Sequence, residues 1–186
     1  MSTTAPRLHI DFHLDVVCPW CWIGLRHLWA ALKMLRARHP DLDVPLRWHA
    51  TPLLPHIPDE GVPFQAFYEA RLGSRQAVNA RRAQINAAAR SAGLRIEFDA
   101  IGVFPNTRLP CALIDAAQAP LSTERMFALV ESIYEAFFLQ GHNIGQPEVL
   151  VPLARAAGLA WPPARDAAPA WPLAACPISC STTSTQ

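Results

Sequence analysis

Two cysteines separated by two residues, Cys18-Pro19-Trp20-Cys21, are the residues of this 186-residue chain whose types and spacing most directly suggest chemistry. Residues Leu8 to Val17 lead into them and read as a strand, with His9-Ile10-Asp11-Phe12-His13-Leu14 alternating polar and apolar side chains. Leu25, Leu28, Trp29, Leu32 and Leu35 follow at helical spacing. The pair therefore sits at the mouth of a helix. There the first cysteine meets unpaired N–H groups and the positive end of the helix dipole. Both favour a thiolate, with pKa values of roughly 3.5–7.5 in such settings. Three residues on, Cys21 comes round within reach of Cys18. In disulfide exchange Cys18 would attack and Cys21 would resolve the mixed disulfide.

Pro19, Trp20 and Trp22 are the candidate substrate-contacting residues around the pair. Either tryptophan could line a groove, or one of them could simply pack the helix against the rest of the molecule. Two other readings of the cysteines stand beside the redox one. They could be small core hydrophobes. They could also be half of a structural zinc site completed by Cys176 and Cys180, making the chain a non-catalytic zinc-binding or interaction module. A zinc knuckle, however, prefers a tight turn containing glycine, and Pro-Trp opening an amphipathic helix suits redox geometry better. Cys111, near the start of a later helix, reads as a partly buried small residue more readily than as a third redox thiol. The seven histidines show no His-x-x-x-His spacing, so no metal and no cofactor are expected. Arg71, Arg75, Arg81, Arg82 and Arg90 read as a solvated basic face.

The elements that must position the cysteines follow from pattern. Pro19 suits a first helical turn and Pro40 closes that helix. Val44 to His49 reads as a second strand, giving a parallel, right-handed βαβ unit. After Thr51 come several prolines and then about a hundred residues of helical character. These predict helices over 64–72 ending at Gly73, 76–92 ending at Gly93, and 107–118 capped by Asn106 or Thr107. A further helix capped by Ser122 or Thr123 carries a broad stripe of Phe127, Val130, Ile133, Tyr134, Phe137 and Phe138. One more begins at Pro147, reaches Gly158 and is interrupted by Pro152. The expected organisation is an α/β βαβ unit over 1–54, a large all-helical insertion over 55–158, and an irregular Pro/Ala-rich tail over 159–186.

Composition narrows the function classes. Hydrophobic residues make up 51% and charged residues 17%, which suits a globular domain rather than a disordered chain. Sixteen basic and fifteen acidic residues leave a net charge of +1, so neither a nucleic-acid nor a polybasic membrane partner is expected. No uncharged apolar run reaches the ~18 residues of a membrane span. Arg7, His9, Asp11 and His13 interrupt any signal-peptide core. With an odd number of cysteines, five, the expectation is a reducing, cytoplasmic setting.

The run Phe12-His-Leu-Asp15-Val-Val-Cys18-Pro-Trp-Cys21-Trp-Ile-Gly24 resembles the opening of the DsbA-like, FrnE-type thioredoxin-fold oxidoreductases. The likeness is carried further by Trp48, by Pro105-Asn106-Thr107, by the Phe137-Phe138 helix and by residues 144–159. It implies a thioredoxin domain with a helical insertion after the second strand. It also implies a redox pair at Cys18 and Cys21, and a thiol or disulfide-containing protein or small molecule as substrate. Related glutathione-dependent isomerases and transferases, of the 2-hydroxychromene-2-carboxylate isomerase and kappa types, typically carry serine where Cys18 stands. The second cysteine thus favours the oxidoreductase branch. The family's Gly-Val-Pro segment and its later strands have no counterpart after Leu159. The expected sheet is therefore a two-stranded remnant, with impaired activity and possible self-association through an exposed edge.

Overall fold

A computed structural model describes residues 7–161 of the chain. Strand β1, Ile10–Leu14, lies parallel to β2, Leu46–Ala50, with Ile10 opposite Leu46 and Leu14 opposite Ala50. The crossover between them is helix α1, Pro19–Arg38, so the βαβ unit forms as its pattern requires. Among the described residues β1 has a strand neighbour only on its β2 side. Of the expected tail, residues 162–186, with Cys176 and Cys180, lie outside the described residues, and Trp161 is buried.

Five helices follow: α2 Phe64–Leu72, α3 Arg75–Ser91, α4 Arg108–Ala117, α5 Thr123–Phe138 and α6 Pro147–Ala156. Their ends carry the chemistry expected of helix termini. Gly73 takes φ +86°, a left-handed conformation open to glycine, and its N–H donates to the Glu69 carbonyl at 2.8 Å. The Ser74 hydroxyl accepts from the Ala77 N–H and starts α3, and Ser122 does the same for α5. Helix α6 runs through Pro152 rather than breaking there. Pro152 and Glu148, one turn back, are both exposed, so the carbonyl that loses its partner can turn to solvent.

Two short pieces depart from an all-helical insertion. Val62–Pro63 (β3) and Val103–Phe104 (β4) form an antiparallel ribbon. It closes the ends of the α2–α3 hairpin and seats Phe104 beneath Phe64, Phe67 and Tyr68. The core lies between this hairpin, α1 and α5, with Phe64, Phe104, Leu113, Ile114, Ile133, Tyr134, Phe137 and Phe138 all buried. Gly141, after α5, comes so close to Ala100 that a Cβ there would sit 2.0 Å from its carbonyl oxygen. Only glycine fits at that crossing. No helix among the described residues is long and apolar enough to cross a membrane.

Candidate active site

Beyond Leu14 the chain leaves the ladder in a tight turn, and the Cys18 N–H donates to the Asp15 carbonyl at 3.0 Å. Cys18 is the N-cap residue of α1, with extended backbone (φ −94°, ψ 108°). Its carbonyl accepts the first helical bonds, from the N–H groups of Cys21 and Trp22. Its sulfur is left to the other unpaired donors of the helix mouth. Cys18 and Cys21 are half-buried and unpaired by any disulfide. The Cys21 thiol hydrogen-bonds the Cys18 sulfur, and the Cys21 and Trp20 N–H groups add to it. Together they outweigh burial and bring the Cys18 thiol down to about 7. The same contact, with burial, drives the Cys21 thiol far upward. One cysteine is thus poised as thiolate and the other as proton donor.

Asp15, which the sequence reading quoted only as part of a motif, is the other titratable group at the site. It is 1% exposed. One carboxylate oxygen accepts from the Leu53 N–H at 2.7 Å and from the Thr107 hydroxyl at 3.3 Å, while the other has no partner. Burial outweighs these bonds and lifts the carboxyl to about 6. The signal available in sequence is an acidic residue inside the short apolar run Leu14-Asp15-Val16-Val17. Thr107 illustrates the competition for this carboxylate. It stands at the N-cap of α4, but its hydroxyl turns to Asp15, and the Asn106 side chain instead accepts from the Arg108 N–H at 2.9 Å. The Tyr134 hydroxyl, from α5, donates to the Asp15 backbone carbonyl at 3.2 Å. That carbonyl is the one that receives the Cys18 N–H, so α5 braces the turn holding the thiol.

The two tryptophans part company. Trp20 is 39% exposed, with the Arg81 guanidinium 5.7 Å from its ring centre. Trp22 is buried, stacks on Tyr134 and Phe138, and donates its indole N–H to Glu131 at 2.8 Å. Of the pair, Trp20 has surface to offer a substrate and Trp22 anchors the helix. Pro19 borders a shallow apolar hollow between α2 and α3, whose walls include Tyr68, Leu72, Val78 and Arg81. Cys111 is fully buried, and burial pushes its thiol upward, which leaves it a core residue. Among the described residues no three His, Cys, Asp or Glu side chains gather as metal ligands. The basic face is not uniformly solvated: Arg82 bonds Asp99 and Gln65 and lies over Phe64 and Phe98.

A family model described as a DSBA-like thioredoxin domain matches residues 9–167, eight residues past the point where the motif likeness fades. No curated protein matches by sequence. Solved structures do match. A protein from Streptomyces coelicolor described as a probable DsbA oxidoreductase aligns with TM-score 0.67 and 24% identity over 82% of this chain. The cytosolic disulfide reductase DsbM from Pseudomonas aeruginosa, solved with GSH, aligns with TM-score 0.52 and 21% identity over 82% of this chain and 65% of its own. A 2-hydroxychromene-2-carboxylate isomerase aligns with TM-score 0.52 and 12% identity over 81% of this chain and 66% of its own. This chain spans 63% of the length of the Streptomyces protein.

Proposed function

We propose, from the premise that the chain belongs to the DSBA-like thioredoxin-domain family, that it exchanges disulfides with a thiol or disulfide-bearing partner through Cys18 and Cys21. The observation that carries this reading is the asymmetry of the two thiols, Cys18 lowered to about 7 and Cys21 driven up by the bond between them. In the reducing direction the Cys18 thiolate attacks one sulfur of a substrate disulfide. A mixed disulfide forms and the other substrate sulfur leaves as thiolate. Cys21 then gives up its proton and attacks the Cys18 sulfur, closing the Cys18–Cys21 disulfide and releasing the second substrate thiolate. The protein loses two electrons and the substrate gains them. In the oxidising direction the same bonds form and break in reverse order.

The second step needs an acceptor for the Cys21 proton. Asp15 suits that role, because its buried carboxyl has one unpartnered oxygen and is raised to about 6, within reach of neutral pH as a base. The N–H of Trp20 beside the Cys18 sulfur holds the thiolate before attack. Alkylation of the reduced protein by iodoacetamide across pH tests the first half of this reading. Half-maximal reactivity of Cys18 should fall at about 7. A midpoint near the free-thiol value of ~8.5 counts against it. Mass spectrometry of Cys21→Ser after exposure to a disulfide peptide tests the second half. A trapped adduct on Cys18 is the expected product, and its absence rules the exchange out.

A further inference from the structure

The α2–α3 hairpin beside the thiols carries five arginines and one acid: Arg71, Arg75, Arg81, Arg82 and Arg90 against Glu69. The chain as a whole is close to neutral at +1, so positive charge is concentrated on this hairpin. Two of the five are engaged with carboxylates, Arg75 with Glu69 and Arg82 with Asp99. Arg71, Arg81 and Arg90 have no carboxylate partner among the described residues, and Arg81 donates to the neutral Gln84 side chain at 2.7 Å. Arg81 holds its guanidinium over the exposed Trp20 ring, inside the Cys-Pro-Trp-Cys motif itself. Below it lies the hollow that Pro19 shares with Tyr68, Leu72 and Val78, with Leu72 37% exposed at its rim. Unpaired cations, an aromatic face and an apolar recess therefore adjoin the reactive sulfur on one side.

We propose that this hairpin is the docking surface for the redox partner, a disulfide-bearing polypeptide segment with acidic side chains beside its cysteine and an apolar side chain to lie against the exposed Leu72 and Trp20. The inference rests on disulfide exchange at Cys18. Charge complementarity supplies the acidic character, since cations in a groove raise the local concentration of an anionic partner and its rate of encounter. The exposed Leu72 and Trp20 supply the apolar contact, which a phosphate-rich polymer would not use. The Trp20 ring offers a flat contact to the chain on either side of the scissile disulfide.

Two synthetic peptides test this, each closed by one disulfide and alike except that glutamates flank the cysteines in one and lysines in the other. The rate of adduct formation on Cys18 is followed by quenched-flow mass spectrometry in the full-length Cys21→Ser chain at low ionic strength. The acidic peptide should react about tenfold faster, and the advantage should shrink toward unity at about 1 M salt. Arg81→Glu should bring the ratio of the two rates to one or below, and the milder Arg81→Gln should reduce it. Arg90→Glu should lower the ratio less than Arg81→Glu does, because nine residues further along α3 is about 13 Å away, well inside a Debye length of ~30 Å at low ionic strength but outside contact range. Using a ratio removes any change in Cys18 acidity that the variants cause. Equal rates for the two peptides, or an Arg90→Glu effect as large as that of Arg81→Glu, overturns the docking surface. An Arg81→Glu effect confined to oxidised glutathione would assign the arginines to a small anionic disulfide and overturn the polypeptide partner. If neither peptide forms an adduct, it is the exchange reading itself that fails.

Discussion

The two sides of the first turn of α1 differ sharply, although they begin two residues apart. On one side Trp22 is buried, stacked on two aromatic rings, and its indole N–H is satisfied by Glu131. On the other, Trp20 is exposed, the Cys18 sulfur is reachable, and beneath it Asp15 holds a carboxylate oxygen with no partner. Two residues on a helix turn through about 200°, so successive even positions face opposite ways. One turn thereby serves as both anchor and reactive edge. The anchored side is optimised for packing. The reactive side gives up packing and polar satisfaction for chemistry, and the cost shows as shifted acidities rather than as a cavity.

Truncating each tryptophan measures this contrast most strongly. Trp22→Ala should destabilise the protein by about 3–5 kcal/mol, the usual cost of emptying a buried aromatic site. Trp20→Ala should stay within about 0.5 kcal/mol. Urea unfolding of both variants checks this, and comparable losses would erase the distinction between the two sides. Next in size is Asp15→Asn. The carboxyl rises from 3.8 to about 6 in the folded state, so the native protein binds the extra proton between those values. Stability is therefore highest below the lower value and is lost as pH rises to about 6. At two pKa units that loss is ~3 kcal/mol, and the neutral amide should recover part of it at pH ~8 and none at pH ~3. Urea midpoints at the two pH values decide this. An equal shift at both would mean that the side chain acts only through its hydrogen bonds to Leu53 and Thr107.

Glu131→Ala should cost about 1–3 kcal/mol, by leaving the Trp22 indole N–H buried and unpaired. The loss should be smaller in a Trp22→Phe background, which a double-mutant cycle measures directly. The reduced protein's own stability should also respond to pH. Cys18 is lowered from 9.0 to about 7, so its ionisation adds stability that is fully present above the upper value and lost as pH falls through about 7. Reduced wild type should gain stability over Cys18→Ser between pH 7 and 9, and a flat difference would contradict the lowered thiol.

Much of the backbone was legible because its signals are local. Gly73 and Gly93 mark where α2 and α3 stop, Ser122 marks the start of α5 and Pro19 opens α1, while α3 begins at Arg75 behind a Ser74 cap, one residue before the expected start. The strands are legible through alternation, although the first occupies only Ile10–Leu14 of the expected 8–17 and the second lies at Leu46–Ala50 instead of 44–49. What escaped depends on distant partners. The β3–β4 ribbon is two residues a side, too short for any periodicity, and exists because the hairpin brings Val62 opposite Phe104. Which tryptophan turns inward depends on Tyr134 and Phe138, more than a hundred residues away. Asp15 could be seen as an acid in an apolar run, but its burial is imposed by Leu53, Thr107 and Tyr134 from three separate segments. Thr107 looked like an ordinary helix cap for the same reason.

The bond from the Tyr134 hydroxyl to the Asp15 carbonyl spans 119 residues of chain. During synthesis at about 5–20 residues per second, Asp15 precedes its brace by roughly 6–24 s. Through that interval the Cys18 turn lacks the partner that steadies it, and Trp22 lacks the rings it stacks on. Until α5 has left the ribosome and closed over α1, the turn that carries Cys18 lacks this brace, whereas the groups that lower its thiol, the Cys21 thiol and the N–H groups of Cys21 and Trp20, lie within the same turn of helix. The acidity of the thiol is thus a local property of the chain, and it is the seating of its turn in the fold that waits for one phenol.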